Sequence, residues 1–236
     1  MPKYRIAELL IEITPRYELL SRVCEKYLVE TQEDADFSVA VSDEDIEAVR
    51  KIYPEYSLRY AENFCACRAV CYEASRRGVI LFHAAAIAVD GKAYAFSAPS
   101  GTGKTTHIKL WRTHFGARVE MINGDKPFLR ERDGVITVYG SPWCGKEGWN
   151  RNTSAPLAGL CFLSQAKENS IAPICAREAL PRVFAQMVKP PTEKGVSETL
   201  GFADRLIRSV PIYHMECNIS KAAAELSYRT LTGKEP

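Results

Sequence analysis

The sequence predicts an α/β fold: a mixed β-sheet core organised around a glycine-rich loop, with a small α+β subdomain ahead of it. Three observations carry that expectation. Residues Ala98 to Thr106 read A-P-S-G-T-G-K-T-T and lie between a short apolar strand, Lys92 to Ser97, and a helix that leaves through His107 to Phe115. The strand is entered through Asp90-Gly91, a two-residue hairpin turn, so it pairs antiparallel with its predecessor and the sheet is mixed. Residues 1–77 hold two short apolar runs and two helical patterns of their own, and form the N-terminal α+β subdomain; residues 78–236 form the core.

The first forty residues read as β-rich, with one apolar run from Arg5 to Ile13, ended by Thr14-Pro15, and another from Phe37 to Val41. Ser42 and Asp45 make a capping-box start for a helix to about Tyr53, where Pro54 stops it. Leu58, Ala61, Cys65, Ala69 and Tyr72 line one face of a long helix from about Ser57 to Arg77, ended by Gly78. That helix joins the two parts of the chain. Val79 to Phe82 and Ala84 to Val89 are short strands around His83, and the second forms the Asp90-Gly91 hairpin. Beyond the loop helix, Arg118 to Ile122 is a strand ending at N-G-D-K-P, residues 123–127. Phe128 to Arg132 and Val135 to Tyr139 flank Asp133-Gly134, a second hairpin. Residues 140–152 are polar and glycine-rich, and carry Trp143 and Trp149.

Leu157 to Ser164 reads as a closing strand and Ile171 to Ile174, with its Pro173, as an edge strand. A helix follows from Leu180 to about Met187 with Pro181 in its first turn, then one from Glu198 to Ser209, a strand from Ile212 to Met215, and a last helix capped by Ser220.

Composition sets the class. The 236 residues are 46% hydrophobic and 25% charged, ordinary for a soluble globular protein, and the net charge of +2 offers no dedicated nucleic-acid surface. No stretch has the length and apolarity of a signal or membrane segment, so a cytoplasmic location with no membrane partner is expected, and the eight cysteines are expected to stay reduced. Cys65, Cys67 and Cys71 are close in sequence, but the reading preferred is that of small buried apolar residues rather than a metal cluster.

The chemistry is concentrated in the loop. In a strand-loop-helix of this kind the backbone amides curl around phosphate oxygens, the lysine reaches the β- and γ-phosphates, and the next hydroxyl holds Mg²⁺. The residues concerned are Ser100, Gly101, Thr102, Gly103, Lys104, Thr105 and Thr106, with Ala98 where such loops usually open on Gly. Asp125, an acid at a strand end near the loop, is expected to act as a catalytic base or a second Mg²⁺ contact; Asn-Gly before it is also an ordinary turn dipeptide. Trp143 and Trp149 pack beneath their loop or wall a substrate.

Residues 79–165 resemble the HPr kinase/phosphorylase family and its relatives the phosphoenolpyruvate carboxykinases. The resemblance is carried by S-G-T-G-K-T-T, by His83 in a strand-His-small-residue setting ahead of the loop, by N-G-D at 123–125, and by the hairpin that delivers the loop. It implies an active-site role for His83, beside Asp125 or the γ-phosphate, and proton transfer by an acidic pair. Gly124 stands where the first acid of that pair would be, which leaves Asp125. Glu147, in C-G-K-E after the acid, is the implied Mg²⁺ carboxylate in place of the family's L-E-x-R-G segment. Arg182 or Lys189 takes the place of a late arginine. HPr kinases are oligomeric, so a homo-oligomer is possible. Residues 1–75 match no domain of either family.

The expected function is therefore that of an ATP-dependent, Mg²⁺-using phosphotransferase with an alcohol acceptor. It would pass the γ-phosphoryl group to Ser or Thr of a small protein or peptide, or to an amino-acid-like small molecule. Lys104, Asp125 and His83 are the expected catalytic residues. The alternative is a nucleotide-binding regulator or weak NTPase with no phosphoryl acceptor.

Overall fold

The computed structural model describes residues 1–235. Its first part is a four-stranded sheet in the order β3-β1-β2-β4, built from β1 (Lys3–Ile6), β2 (Leu9–Thr14), β3 (Leu28–Val29) and β4 (Phe37–Ala40). The run read as one strand from Arg5 to Ile13 is a hairpin. Its two-residue turn is Ala7-Glu8, both at positive φ (48° and 65°), a conformation usually left to Gly or Asn. Tertiary contacts hold it: Arg130 donates to the Ala7 carbonyl at 2.8 Å, and the Tyr139 hydroxyl donates to Glu8 Oε1 at 2.7 Å. A short helix absent from the sequence reading, α1 (Glu18–Cys24), follows.

Helix α2 (Asp43–Ile52) carries the capping box at Ser42 and Asp45, and α3 (Leu58–Ser75) buries Ala61, Cys65, Ala66, Val70 and Cys71. The thiols of Cys65 and Cys71 are pushed up by burial, as expected of thiols used as apolar filling. The apolar cluster around α3 runs from Ile11 and Ile13 of the first sheet to Leu81 and Phe128 of the second and to Trp143 in the segment 140–152, so α3 is shared packing between the two sheets.

The second sheet has nine strands. Its path runs β5 (Val79–Leu81), β9 (Phe128–Arg132), β10 (Val135–Tyr139), β11 (Ser154–Gln165), β7 (Lys92–Ser97), β6 (Ala85–Val89), β8 (Val119–Asn123). Strand β13 (Ile212–Cys217) lies parallel to β11 and carries β12 (Ser170–Pro173) as an antiparallel edge. The sheet is mixed as expected: β7 and β11 are parallel, while β6 pairs antiparallel with both β7 and β8. Strand β11 is twelve residues long and central rather than closing, because it pairs β10 with its first residues and β7 and β13 with the rest.

Side-chain alternation buries both faces of this sheet. Along β7, Ala93 and Ala95 face one cluster with α5 (Ala176–Ala185) and α6 (Glu193–Ser209). Tyr94 and Phe96 face the other, with α4 (Lys104–Phe115) and α7 (Lys221–Thr232). Helix α5 starts earlier than the proline suggested, so Pro181 is interior to it and the carbonyl of Arg177 loses its helical donor. No helix among the described residues is long and apolar enough to cross a membrane.

Candidate active site

The loop between β7 and α4 has Gly101 at φ 81° and Gly103 at φ 115°, left-handed backbone that turns successive amides toward one side. Helices α2, α6 and α7 begin with Ser42, Thr192 and Ser220, whose side chains accept from their own first-turn amides. Helix α4 has no such acceptor: its N-cap is Gly103 and its first turn holds no acid. The first-turn amides of Lys104, Thr105 and Thr106 therefore present unpaired donors at the positive end of the helix, the arrangement that suits a phosphate. Lys104 is 7% exposed and its Nζ donates to the Ala98 carbonyl at 3.0 Å. Burial lowers the pKa of its ammonium, and the charge of Asp125 partly offsets that.

Asp125, between β8 and β9, is held by residues from separate parts of the chain. His83, between β5 and β6, donates from Nε2 to Asp125 Oδ1 at 3.0 Å, and its Nδ1 lies 3.1 Å from the Gln186 side-chain amide. Lys126 pairs with Oδ2. Burial alone would raise the Asp125 carboxyl, but the hydrogen bonds from His83 and Lys126 outweigh it and hold the group well below the usual carboxylate range. Asp125 thus stays ionised at neutral pH, and it still offers a second lone pair on each oxygen.

The turn carrying Asp125 is positioned by Asn123, which the sequence shows only as part of a turn dipeptide. Its Oδ1 accepts from the amides of Asp125 (2.9 Å) and Lys126 (2.7 Å), and its Nδ2 donates to the Ser141 carbonyl at 3.1 Å. Residues 140–152 wrap this turn: Ser141 Oγ donates to the Lys126 carbonyl at 2.6 Å and the Gly124 amide donates to Trp149 O at 2.8 Å. The N-terminal subdomain holds the wrapping loop in turn, with Lys26 Nζ 2.8 Å from Asn150 Oδ1 and Trp143 Nε1 donating to Asn63 Oδ1 at 3.2 Å. Trp143 is packed core at 6% exposure, and Trp149 lies under the Lys109 ammonium, 5.2 Å from the ring centre.

This packing explains Gly124. A Cβ there would stand 3.0 Å from the Cys144 carbonyl and 3.4 Å from Trp149 Cβ, tight enough that a side chain at this turn requires the Cys144 backbone to give way. Gly124→Ala is expected to lower stability by about 1–3 kcal/mol through overpacking, read as a lower urea midpoint; an unchanged midpoint would show that the contact yields freely.

Other expected residues are placed apart. Glu147 is paired with Lys109 at 3.3 Å, both partners about half exposed, and contacts neither Thr105 nor Asp125. Lys189 folds onto the carbonyls of Phe184 and Met187, and Arg182 is exposed on α5. Among the described residues no group of three or more His, Cys, Asp or Glu is placed to hold a metal. A Mg²⁺ brought by phosphates needs no such cage, since it takes most of its ligands from phosphate and water, and the Thr105 hydroxyl suits it.

A cleft of about 490 Å³ lies beside the loop, lined by Gly101, Thr106, His107, Leu110, Gln165 and Asn218 among others. His107 is buried, with Nε2 2.9 Å from Ser227 Oγ and Nδ1 unpaired. Burial lowers its pKa from 6.5 to about 4. The unfolded chain therefore binds the proton first as pH falls, so this contribution to stability is complete above about pH 7, declines through 6.5 and levels off below 4. The loss amounts to about 3 kcal/mol at most. Urea midpoints measured from pH 7.5 to 4.5 should fall less steeply in His107→Gln; an identical slope would exclude His107 as the source.

No protein family and no curated protein matches the chain. Among solved structures, the fold is similar to the Hpr(Ser) kinase/phosphatase from Coxiella burnetii, at 10% sequence identity and a TM-score of 0.36, over 65% of this chain and 93% of that one. A likeness of that strength assigns no residue a role, and none of the roles given below rests on it.

Proposed function

We propose that the chain is a nucleoside-triphosphate-dependent phosphotransferase that moves the γ-phosphoryl group, most simply of ATP, to a hydroxyl. The observation that carries this is the uncapped first turn of α4 with the buried Lys104 beneath it, within electrostatic reach of an ionised carboxylate. The amides from Ser100 to Thr106 and the Lys104 ammonium hold the phosphates. Thr105 would hold Mg²⁺ together with phosphate oxygens, and the ion would supply charge neutralisation on the transferring group.

Asp125 accepts a hydrogen bond from the acceptor hydroxyl and aims its oxygen at the γ-phosphorus. The new O–P bond forms as the bond to the bridging oxygen breaks, and the nucleoside diphosphate leaves. Because Asp125 is a weak base, it takes the proton late, once the attacking oxygen has bonded to phosphorus and its hydrogen has become acidic. His83, tied to Gln186, keeps the carboxylate oriented, and Lys126 holds its other oxygen. Rate enhancement comes mainly from positioning and charge neutralisation.

The test is incubation with γ-labelled ATP, Mg²⁺ and extracts of proteins and small metabolites, followed by mass spectrometry for new phosphoesters. Label that never leaves the nucleotide, with nucleotide bound, would replace this reading with that of a nucleotide-binding regulator, which the absence of an acid at Gly124 favours. Label released only as inorganic phosphate would indicate an NTPase.

A further inference from the structure

The N-terminal subdomain carries a partly exposed aromatic cluster at the edge of its core, against which Tyr56 packs. Tyr53 and Tyr56 stack with ring centres 4.9 Å apart, and Tyr60 meets Tyr56 edge-on at 4.6 Å. Tyr60 is 47% exposed and Tyr53 38%. Beside them lies a groove of about 450 Å³, lined by Leu19 and Arg22 of α1, Glu55, Tyr56 and Ser57 ahead of α3, and Arg59 and Tyr60 in its first turn. Arg22 and Arg59 are exposed, and neither forms an ion pair among the described residues, whereas most other arginines of the subdomain do. Contiguous exposed aromatic surface flanked by unpaired guanidinium groups is typical of a recognition site.

The groove adjoins the catalytic turn. Tyr60, Asn63 and Cys67 are spaced three and four residues apart and share one face of α3. Asn63 on that face receives the Trp143 Nε1 hydrogen bond, and Trp143 and Lys126 are both bonded to Ser141. Lys126 and His83 keep 40% and 33% of their side chains exposed, so the surroundings of Asp125 are open to solvent.

We propose that the groove docks the phosphoryl acceptor, and that the acceptor is a peptide segment with acidic side chains next to its hydroxyl residue. The acidic groups pair with Arg22 and Arg59, the backbone and apolar parts lie against Tyr56 and Tyr60, and the hydroxyl reaches past Lys126 to Asp125. Charge selects the occupant: among the residues that line the groove, Arg22 and Arg59 oppose the single acid Glu55. The choice of a phosphoryl acceptor rests on the phosphotransferase reading; the docking itself is tested without it.

The experiment is fluorescence anisotropy with the full chain, no nucleotide, and a fluorescein-labelled dodecapeptide of alternating Glu, Asp and Ser. A Lys/Ser peptide of equal length is the control. Expected are at least tenfold tighter binding of the acidic peptide, and at least tenfold weakening in Arg22→Glu/Arg59→Glu. Arg177→Glu, at an exposed position on α5, should change it less than twofold, and ATP titration of the double variant should match the parent. Equal binding of both peptides, or undiminished binding by the double variant, overturns the proposal. So does concentration-dependent self-association that Tyr60→Ala abolishes, which would assign the groove to a second copy of the chain. Acidic-peptide binding that passes these tests while no label ever leaves ATP supports the docking site and removes the kinase reading. Label transfer that ignores Arg22 and Arg59 does the reverse.

Discussion

Lys104→Ala is expected to abolish phosphoryl transfer, by a factor of about 10³ or more, and to weaken nucleotide binding as well. Two separate effects add. The buried ammonium, 7% exposed and bonded in the absence of ligand only to the Ala98 carbonyl, is a full charge held where water screens it poorly. It would exchange that carbonyl for phosphate oxygens, and its pull grows as charge moves onto the leaving diphosphate. Loss of one such preorganised donor costs about 10²–10³ in rate, and the ground-state affinity carried by the same charge goes with it. Calorimetric titration with ATP and Mg²⁺, followed by single-turnover transfer, reads both. The folded state should survive, because removing a buried charge also removes its desolvation cost. A variant with near-parental affinity and rate would sink the assignment of this loop to phosphates.

Asp125→Asn is expected to separate binding from chemistry. The carboxylate is held ionised by His83 and Lys126, and the amide that replaces it cannot accept the acceptor's proton. Transfer should fall by about 10²–10⁴, with ATP affinity within about threefold of the parent because Asp125 lies outside the amide cradle. The structural cost is real but smaller: Lys126 loses its charged partner, while Nε2 of His83 keeps an oxygen to donate to. The pH dependence has a definite sign. A carboxyl held below its ordinary value stabilises the fold at neutral pH, and that stabilisation is lost only as pH falls below about 4. It is therefore separable from the His107 effect, which lies between 6.5 and about 4. If Asp125→Asn transfers at the parental rate, Asp125 has no part in the chemistry.

These predictions reach different depths of legibility. The strand-loop-helix around Lys104 could be read directly, because its glycines, lysine and hydroxyl are adjacent and the flanking patterns are local. The hairpins at Asp90-Gly91 and Asp133-Gly134 were equally plain, since both residues of such a turn need positive φ and Asp-Gly supplies them, as observed at 51° and 74° and at 51° and 77°. The turn at Ala7-Glu8 has the same backbone and no such signal, because Arg130 and Tyr139, more than a hundred residues away, hold it. Helix α5 was misplaced because a proline marks where a helix can begin, while burial of Ala179 and Val183 decides where it does.

In the site, Asp125 could be named from its place at a strand end near the loop and His83 only through a family resemblance, and their contact through the Nε2 hydrogen bond is a tertiary fact. Asn123 and Gln186 left no trace, since an amide side chain says nothing of its partners until the chain has brought them within 3 Å or so. Glu147 was singled out by its distance along the chain, and it is instead paired with Lys109.

What the sequence determined by itself was the mixed-sheet class, the loop and the helix it feeds, all of which depend on backbone preferences and side-chain period over a few residues. What only the tertiary structure decided was how the loop's surroundings are assembled. The reason a side chain at Gly124 is crowded is the Cys144 carbonyl, the reason Asp125 is ionised is His83 and Lys126, and the groove on the N-terminal part belongs to α1 and α3. Each depends on groups far apart in sequence brought into contact, where sterics and charge act through distance in space and leave no periodic mark in the chain.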